Sequence, residues 1–368
     1  MLATTRVAKR PSRPVRNTQH KMRDLDVQVR YAMTWDDKVA PMSVNILREF
    51  MRSLCSAEEH LPKSFSRVRF VIYTNDLSHD RVATWLHRVP SNGSSSDARR
   101  LLNIDRLPFP RRAFGDFTSW LERRDKSRKP GQQPRRNWFG PLRVDDYASV
   151  RRLLVDLYTS EPSSAYLYIG ADTVFVRPPA LLAARAHHAP NAAFYMLDNF
   201  PRNSSHMTSP LKHGVRTQNV LSLAPLGLPA CAGFLGDFFF VPRGMPFGEN
   251  AVAESVVLLQ RYVEACESPR LAERPTPWCL PDSPIHEPLH GLDQYVWSLL
   301  LARYTHGACH ALDDAKYDSM CGGEPYGSVE VAHGHASCKV MQNLPLFTAP
   351  DVACKALTNP QHHQIQSQ

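Results

Sequence analysis

No stretch of this sequence reaches the roughly 18 apolar residues of a bilayer-spanning helix, although 43% of its 368 residues are hydrophobic. Apolar side chains are therefore spent on a core, and the length suits one large α/β domain or two smaller ones. No apolar segment of signal-peptide type stands near Met1, so no secretory leader is visible. No C-x-x-C pair occurs among Cys55, Cys231, Cys266, Cys279, Cys309, Cys321, Cys338 and Cys354, which argues against zinc-ribbon and thioredoxin-type sites. There is no internal repeat. The first 23 residues contain no acid, only the bases Arg6, Lys9, Arg10, Arg13, Arg16, Lys21 and Arg23. Such a segment suits a transit peptide, an arm for nucleic acid or membrane, or a disordered tail, and residues 1–23 are read as a basic disordered arm.

The net charge of +9 fits any polyanionic partner, nucleotides and phosphates included, and does not choose among them. A second basic stretch, Arg123 to Arg136, holds Pro130, Gly131 and Pro134 and reads as an exposed loop. It lacks the interleaved aromatics of a single-strand nucleic-acid platform. Six of the eight cysteines follow residue 260, so disulfides there require an oxidising compartment. The sequons Asn92-Gly-Ser94 and Asn203-Ser-Ser205 matter only in that same compartment. The visible sequence fits a cytoplasmic setting; a Golgi or secretory one needs an anchor outside it.

What the chain does have is an alternation of strand and helix patterns. Val27–Met33 reads as a strand. Pro41 opens a helix in which Val44, Leu47, Phe50, Met51 and Leu54 share a face. Val68–Tyr73 is the next strand, with a short helix from Asp80 to about His87. Asp146 is placed to cap a helix over 147–158 that carries Val150, Leu153, Leu154 and Leu157 on one side. Strands are expected at Ala192–Leu197 and Cys231–Val241, and helices at Val252–Val263 and Leu292–Tyr304. This order argues for a parallel, doubly wound sheet.

The most informative segment is Tyr166-Leu-Tyr-Ile-Gly-Ala-Asp-Thr-Val-Phe-Val-Arg-Pro178. A buried-strand run ends at one carboxylate, Asp172, where open α/β sheets bind ligands. Downstream stand His290-Gly-Leu-Asp293-Gln294 at a helix start and His333-Gly-His-Ala-Ser-Cys-Lys339 in a late loop. In that order the three pieces resemble glycosyltransferases of the nucleotide-sugar type, in particular family 8, the glycogenin and lipopolysaccharide galactosyltransferase group. The resemblance spans roughly residues 26–345 as sparse landmarks and defines a domain over 24–350, with 351–368 as a tail. It implies an α/β GT-A (nucleotide-diphospho-sugar transferase) fold, a mixed, mostly parallel sheet flanked by helices. It implies a hexosyltransferase that takes a UDP-sugar donor and a glycan, lipid or protein hydroxyl acceptor, with retention of configuration.

The resemblance also assigns roles. Mn²⁺ or Mg²⁺ is bound by Asp172 and His333, and an oxygen and imidazole donor set suits those ions. Asp36, Arg152 (or Arg151) and Lys339 touch the nucleotide-sugar, with Lys339 a point charge for the leaving diphosphate. Asp293 and Gln294 flank the transferred sugar. Four departures stand against this. Gly170 replaces the first acid of the metal motif, Ala336 replaces a glycine, Val340-Met341 replaces Pro-Trp, and Ala232 or Cys231 replaces the Asn before Gly233. A degenerate relative that binds nucleotide or glycan without turnover is the alternative reading, and a basic nucleic-acid-binding protein is the third.

Overall fold

The computed structural model describes residues 26–33, 44–61, 65, 67–74, 80, 82, 84, 100–105, 108–126, 144–197, 230–231, 234–266, 292–312, 316–319 and 329–333. Ten strands and six helices are described here in chain order. They are β1 (Asp26–Met33), α1 (Val44–His60), β2 (Arg67–Thr74), β3 (Arg100–Asp105), α2 (Arg111–Lys126) and α3 (Val144–Tyr158). There follow β4 (Ala165–Ile169), β5 (Thr173–Phe175), α4 (Ala180–His188), β6 (Ala193–Leu197) and β7 (Phe234–Val241). The chain then forms α5 (Glu249–Cys266), α6 (Leu292–Tyr304), β8 (Cys309–Ala311), β9 (Tyr317–Ser319) and β10 (Val331–His333).

The described strands build a seven-stranded sheet in the order β3-β2-β1-β4-β7-β6-β8 and a three-stranded one in the order β5-β10-β9. Strands β1 to β4 run parallel, and β7 is antiparallel to both β4 and β6. This is the mixed, mostly parallel sheet expected. The chain steps outward from β1 to β2 and β3, then returns to lay β4 on β1's other side. The strand order therefore reverses between β1 and β4, and the ends of such strands at a switch point are where open α/β sheets bind ligands.

Strand alternation explains why both faces are covered. Val27, Val29 and Tyr31 of β1, with Leu167 and Ile169 of β4, enter a core completed by Phe50, Met51 and Leu54 of α1. Tyr166 and Tyr168 point the other way, into a core of Leu153 and Leu157 from α3, Leu259 and Tyr262 from α5, and Val296, Trp297 and Leu300 from α6. Helix α6 is apolar nearly all round because it is buried nearly all round. Trp297 packs against Tyr168, Phe239 and Phe247.

Several expectations are corrected. Helix α3 starts at Val144, so Asp146 lies inside its first turn and is not the cap. Arg123 to Lys126 end helix α2 and are not loop, because Phe117 and its neighbours give that segment an apolar face. His333 closes strand β10 and does not sit in a loop. Residues 91–97, most of the 80–87 helix, and the arm and tail segments lie outside the described residues.

A disulfide joins Cys231 to Cys309 across a sequence separation of 78 residues. It ties the entrance of β7 to the edge strand β8, and Cys55 of α1 is also disulfide-bonded.

Candidate functional site

The site begins where β4 ends. Gly170, Ala171 and Asp172 make the turn from β4 to β5, and the turn is held from below by α1. Ser53 Oγ lies 3.3 Å from the Gly170 carbonyl oxygen, and the Phe175 amide donates to Ser56 Oγ at 3.0 Å. Strand β5 then pairs antiparallel with β10 in a register that sets Thr173 opposite His333. That pairing delivers an imidazole from 160 residues downstream. His333 Nδ1 lies 3.2 Å from Asp172 Oδ1 and 3.3 Å from Thr173 Oγ1. Strand β10 is itself fixed by Glu330, which accepts from Tyr317 Oη at 2.9 Å and from the Leu181 amide at 3.1 Å.

A second carboxylate stands here that the sequence reading did not single out. Asp237 of β7 places Oδ2 3.7 Å from His333 Nε2, and its Oδ1 3.6 Å from Arg152 Nη1. Its position follows from a strand irregularity. Between β6 and β7 the register moves from Tyr195↔Phe239 to Leu197↔Phe234, so extra β7 residues, Asp237 among them, bulge at the sheet's end. Bulges re-aim side chains in this way. The Gly170 amide donates to the Asp237 carbonyl at 2.6 Å, locking the two turns together. The only sequence signal was an acid and a glycine interrupting an otherwise aromatic strand, Phe-Leu-Gly-Asp-Phe-Phe-Phe.

Arg152 of α3 reaches the same cluster, and Arg151 does not: its guanidinium lies over the rings of Phe109 and Phe114. Besides Asp237, Arg152 meets buried Asp156, with Nε 3.8 Å from Oδ2. Asp156 also accepts from the Tyr73 hydroxyl. Beneath it lies Arg30, 2% exposed, bonded to Gln28, the carbonyl of Thr159 and Thr159 Oγ1, and stacked 4.1 Å from the Tyr166 ring centre. Desolvation pushes the Asp156 carboxyl well above the usual carboxylate range, Arg30 opposing and Asp293 adding to the rise. Basic and acidic groups thus alternate from Arg30 through Asp156 and Arg152 to Asp237.

Asp293 and Gln294 open α6 beside this cluster. Gly236 permits the approach, because a Cβ there would fall 2.7 Å from Gln294 Cγ and 3.7 Å from Asp293 Oδ2. Asp293 is buried, and desolvation raises its carboxyl to about 6, with Arg152 opposing and Asp237 adding to the rise. The folded chain therefore holds the Asp293 proton more tightly than the unfolded one, whose ordinary value is 3.8. As pH rises from about 4 to about 6 the unfolded state loses its proton first, so stability falls across that window and is level above it. Asp293→Asn is expected to be more stable than the parent at neutral pH by roughly 2–3 kcal/mol, a difference that fades below about pH 4. Urea denaturation at several pH values checks this; a difference that ignores pH would contradict it.

Of the expected site residues, Asp172, His333, Arg152, Asp293 and Gln294 come together at one end of the sheet. Asp36 and Lys339 lie outside the described residues, as do His290 and Ala336. Among the described residues, no three His, Cys, Asp or Glu side chains already converge as a finished metal shell. The His333 ring lies between Asp172 and Asp237, one nitrogen toward each. The donor types nevertheless suit a hard divalent ion, and both carboxylates crowd one spot: a Cβ built on Gly170 would lie 3.0 Å from Asp172 Oδ1 and 3.1 Å from Asp237 Oδ1.

No protein-family model matches this sequence, and no curated protein matches it. No described helix is long and apolar enough to cross a membrane. Among solved structures the chain is similar to mouse xyloside xylosyltransferase 1 in its apo form, at 11% identity and a TM-score of 0.43, over 86% of this chain and 99% of that one. It is similar to the galactosyltransferase LgtC in complex with donor and acceptor sugar analogs, at 10% identity and a TM-score of 0.42, over 89% and 98%. It is also similar to the bifunctional glycosyltransferase WbbM, at 10% identity and a TM-score of 0.42, over 93% of this chain and about half (51%) of that one. The functional case is carried by the side chains beyond β4 and β7.

Proposed function

We propose that this protein is a glycosyltransferase that moves a hexose from a UDP-sugar to a hydroxyl acceptor on a glycan, lipid or protein, with retention of configuration. The observation that supports this most is the delivery of His333 to Asp172 by the β5–β10 pairing at the sheet's switch point. Two residues 161 positions apart in the chain, at a ligand-binding crevice, are the pair the resemblance names for a divalent cation.

When bound, Mn²⁺ or Mg²⁺ held by Asp172 and His333 would supply positive charge against the departing diphosphate. Arg152, 13% exposed and already facing acids, adds a fixed cation at the same end of the sheet. Asp36 and Lys339 complete the nucleotide contacts in this reading. Asp293 and Gln294 support the sugar, and neither is assigned a nucleophile's part. Buried Asp293, ionised above about pH 6, would face the positive charge that gathers at the anomeric carbon while the donor bond breaks.

The test is UDP release from a panel of UDP-hexoses with mixed hydroxyl acceptors. Release that requires Mn²⁺ or Mg²⁺ and stops with EDTA is expected. Gly170 favours a second reading, a non-catalytic nucleotide binder, and UDP binding without release from any donor would select it.

A further inference from the structure

We propose that Asp237 supplies, from strand β7, the carboxylate that Gly170 leaves out of the turn after β4, so that a divalent cation is held by Asp172, Asp237 and His333. The inference rests on the reading of this crevice as a cation-dependent nucleotide-sugar site and names a ligand that the β4 turn does not contain.

The geometry is that of a side chain moved between neighbouring strands. A Cβ built on Gly170 falls 2.9 Å from the Asp237 Cβ, closer than side-chain carbons approach one another, and 3.1 Å from Asp237 Oδ1. The Asp237 side chain therefore fills the volume from which an acid at 170 would grow. The same Cβ position is 3.0 Å from Asp172 Oδ1, so both carboxylates border one small space. Gly170 is absent from the described residues with positive φ. Its lack of a side chain answers the close approach of Asp237, not a backbone twist. The bulge in β7 and the 2.6 Å bond from the Gly170 amide to the Asp237 carbonyl hold the two positions in register. The His333 ring lies between the two carboxylates, Nδ1 3.2 Å from Asp172 Oδ1 and Nε2 3.7 Å from Asp237 Oδ2. Two carboxylates and an imidazole are an oxygen-rich donor set that suits Mn²⁺ or Mg²⁺.

This reverses the simple expectation that an acid restored at 170 improves cation binding. With Asp237 in place, Gly170→Asp is overcrowded. The exchange of both residues, Gly170→Asp with Asp237→Gly, returns one carboxylate to the cluster from the other strand.

The experiment is a Mn²⁺ titration of the full chain followed by electron paramagnetic resonance of the free ion, with and without UDP, each variant's fold being checked by circular dichroism. The parent binds Mn²⁺, and Asp172→Asn and Asp237→Asn each weaken binding at least tenfold. Gly170→Asp alone binds more weakly than the parent, Asp237→Gly is as weak as Asp237→Asn, and the exchange variant recovers to within a few-fold of the parent. Parent-like binding by Asp237→Asn overturns the proposal, and so does an exchange variant no better than Asp237→Gly. If Asp172→Asn still loses binding in either case, the cation site stands and only the relocated ligand is wrong. A parent that binds no Mn²⁺ with UDP present overturns both the relocated ligand and the cation-dependent reading.

Discussion

Asp172→Asn lowers UDP-hexose turnover by roughly 10²–10³-fold, the usual loss when one preorganised electrostatic group is removed from a transfer site. Asparagine keeps the size of the side chain and leaves an oxygen to face the His333 ring, which now lies 3.2 Å from Asp172 Oδ1. What it removes is the negative charge that a divalent ion needs. The fold around it is secured by other groups, namely Ile169 and Val174 in the core and Ser53 and Ser56 beneath the turn. Steady-state UDP release with matched thermal denaturation checks the prediction, with loss of rate and a retained melting transition expected. Turnover at the parent rate would remove Asp172 from the account.

The second large effect concerns stability. Replacing both Cys231 and Cys309 by Ser is expected to cost roughly 4 kcal/mol, since the bond constrains a loop of 78 residues in the unfolded chain. For a chain of this size that corresponds to a fall in melting temperature of about 5 °C. The bond anchors the entrance of β7, the strand that bears Asp237, to the edge strand β8. Denaturation of the parent with and without reductant, beside the double Ser variant, measures it. Reductant should lower the parent's stability by more than the variant's, because the variant has already lost the Cys231–Cys309 bond and keeps the Cys55 disulfide. Equal stability of parent and variant would mean that the bond does not form in solution.

The parts of the fold that were legible in the sequence are those in which periodicity and burial agree. The β1, β2, β4 and β6 strands are short apolar runs, and α1, α5 and α6 carry apolar residues at helical spacing or throughout. Helix α2 was missed because its segment is rich in Arg, Glu and Asp, with Phe117, the only buried residue among those described on it, flanked by half-buried neighbours. Strands β8, β9 and β10 are three residues each, too short for alternation to register, and they exist through pairing with distant partners. At the site, Asp172 was legible as a lone acid ending a buried run, and Asp293-Gln294 as a helix start. Asp237 was not, because the bulge that aims it belongs to the mismatch between β6 and β7, a property of two strands together. The glycine at 170 looked like the loss of a ligand. In the folded chain it is the space that Asp237 occupies.

The central claim is that the crevice beyond β4 binds a nucleotide through a divalent cation. Its most direct measurement is thermal stabilisation by UDP with and without Mn²⁺, on the parent and on Asp172→Asn. Ligand at about 100 times its dissociation constant adds roughly 2.7 kcal/mol, a readable rise in melting temperature. The account predicts a UDP shift in the parent that requires Mn²⁺ and is lost in Asp172→Asn. No shift with UDP under any condition, or an equal shift in the variant and in EDTA, would contradict it.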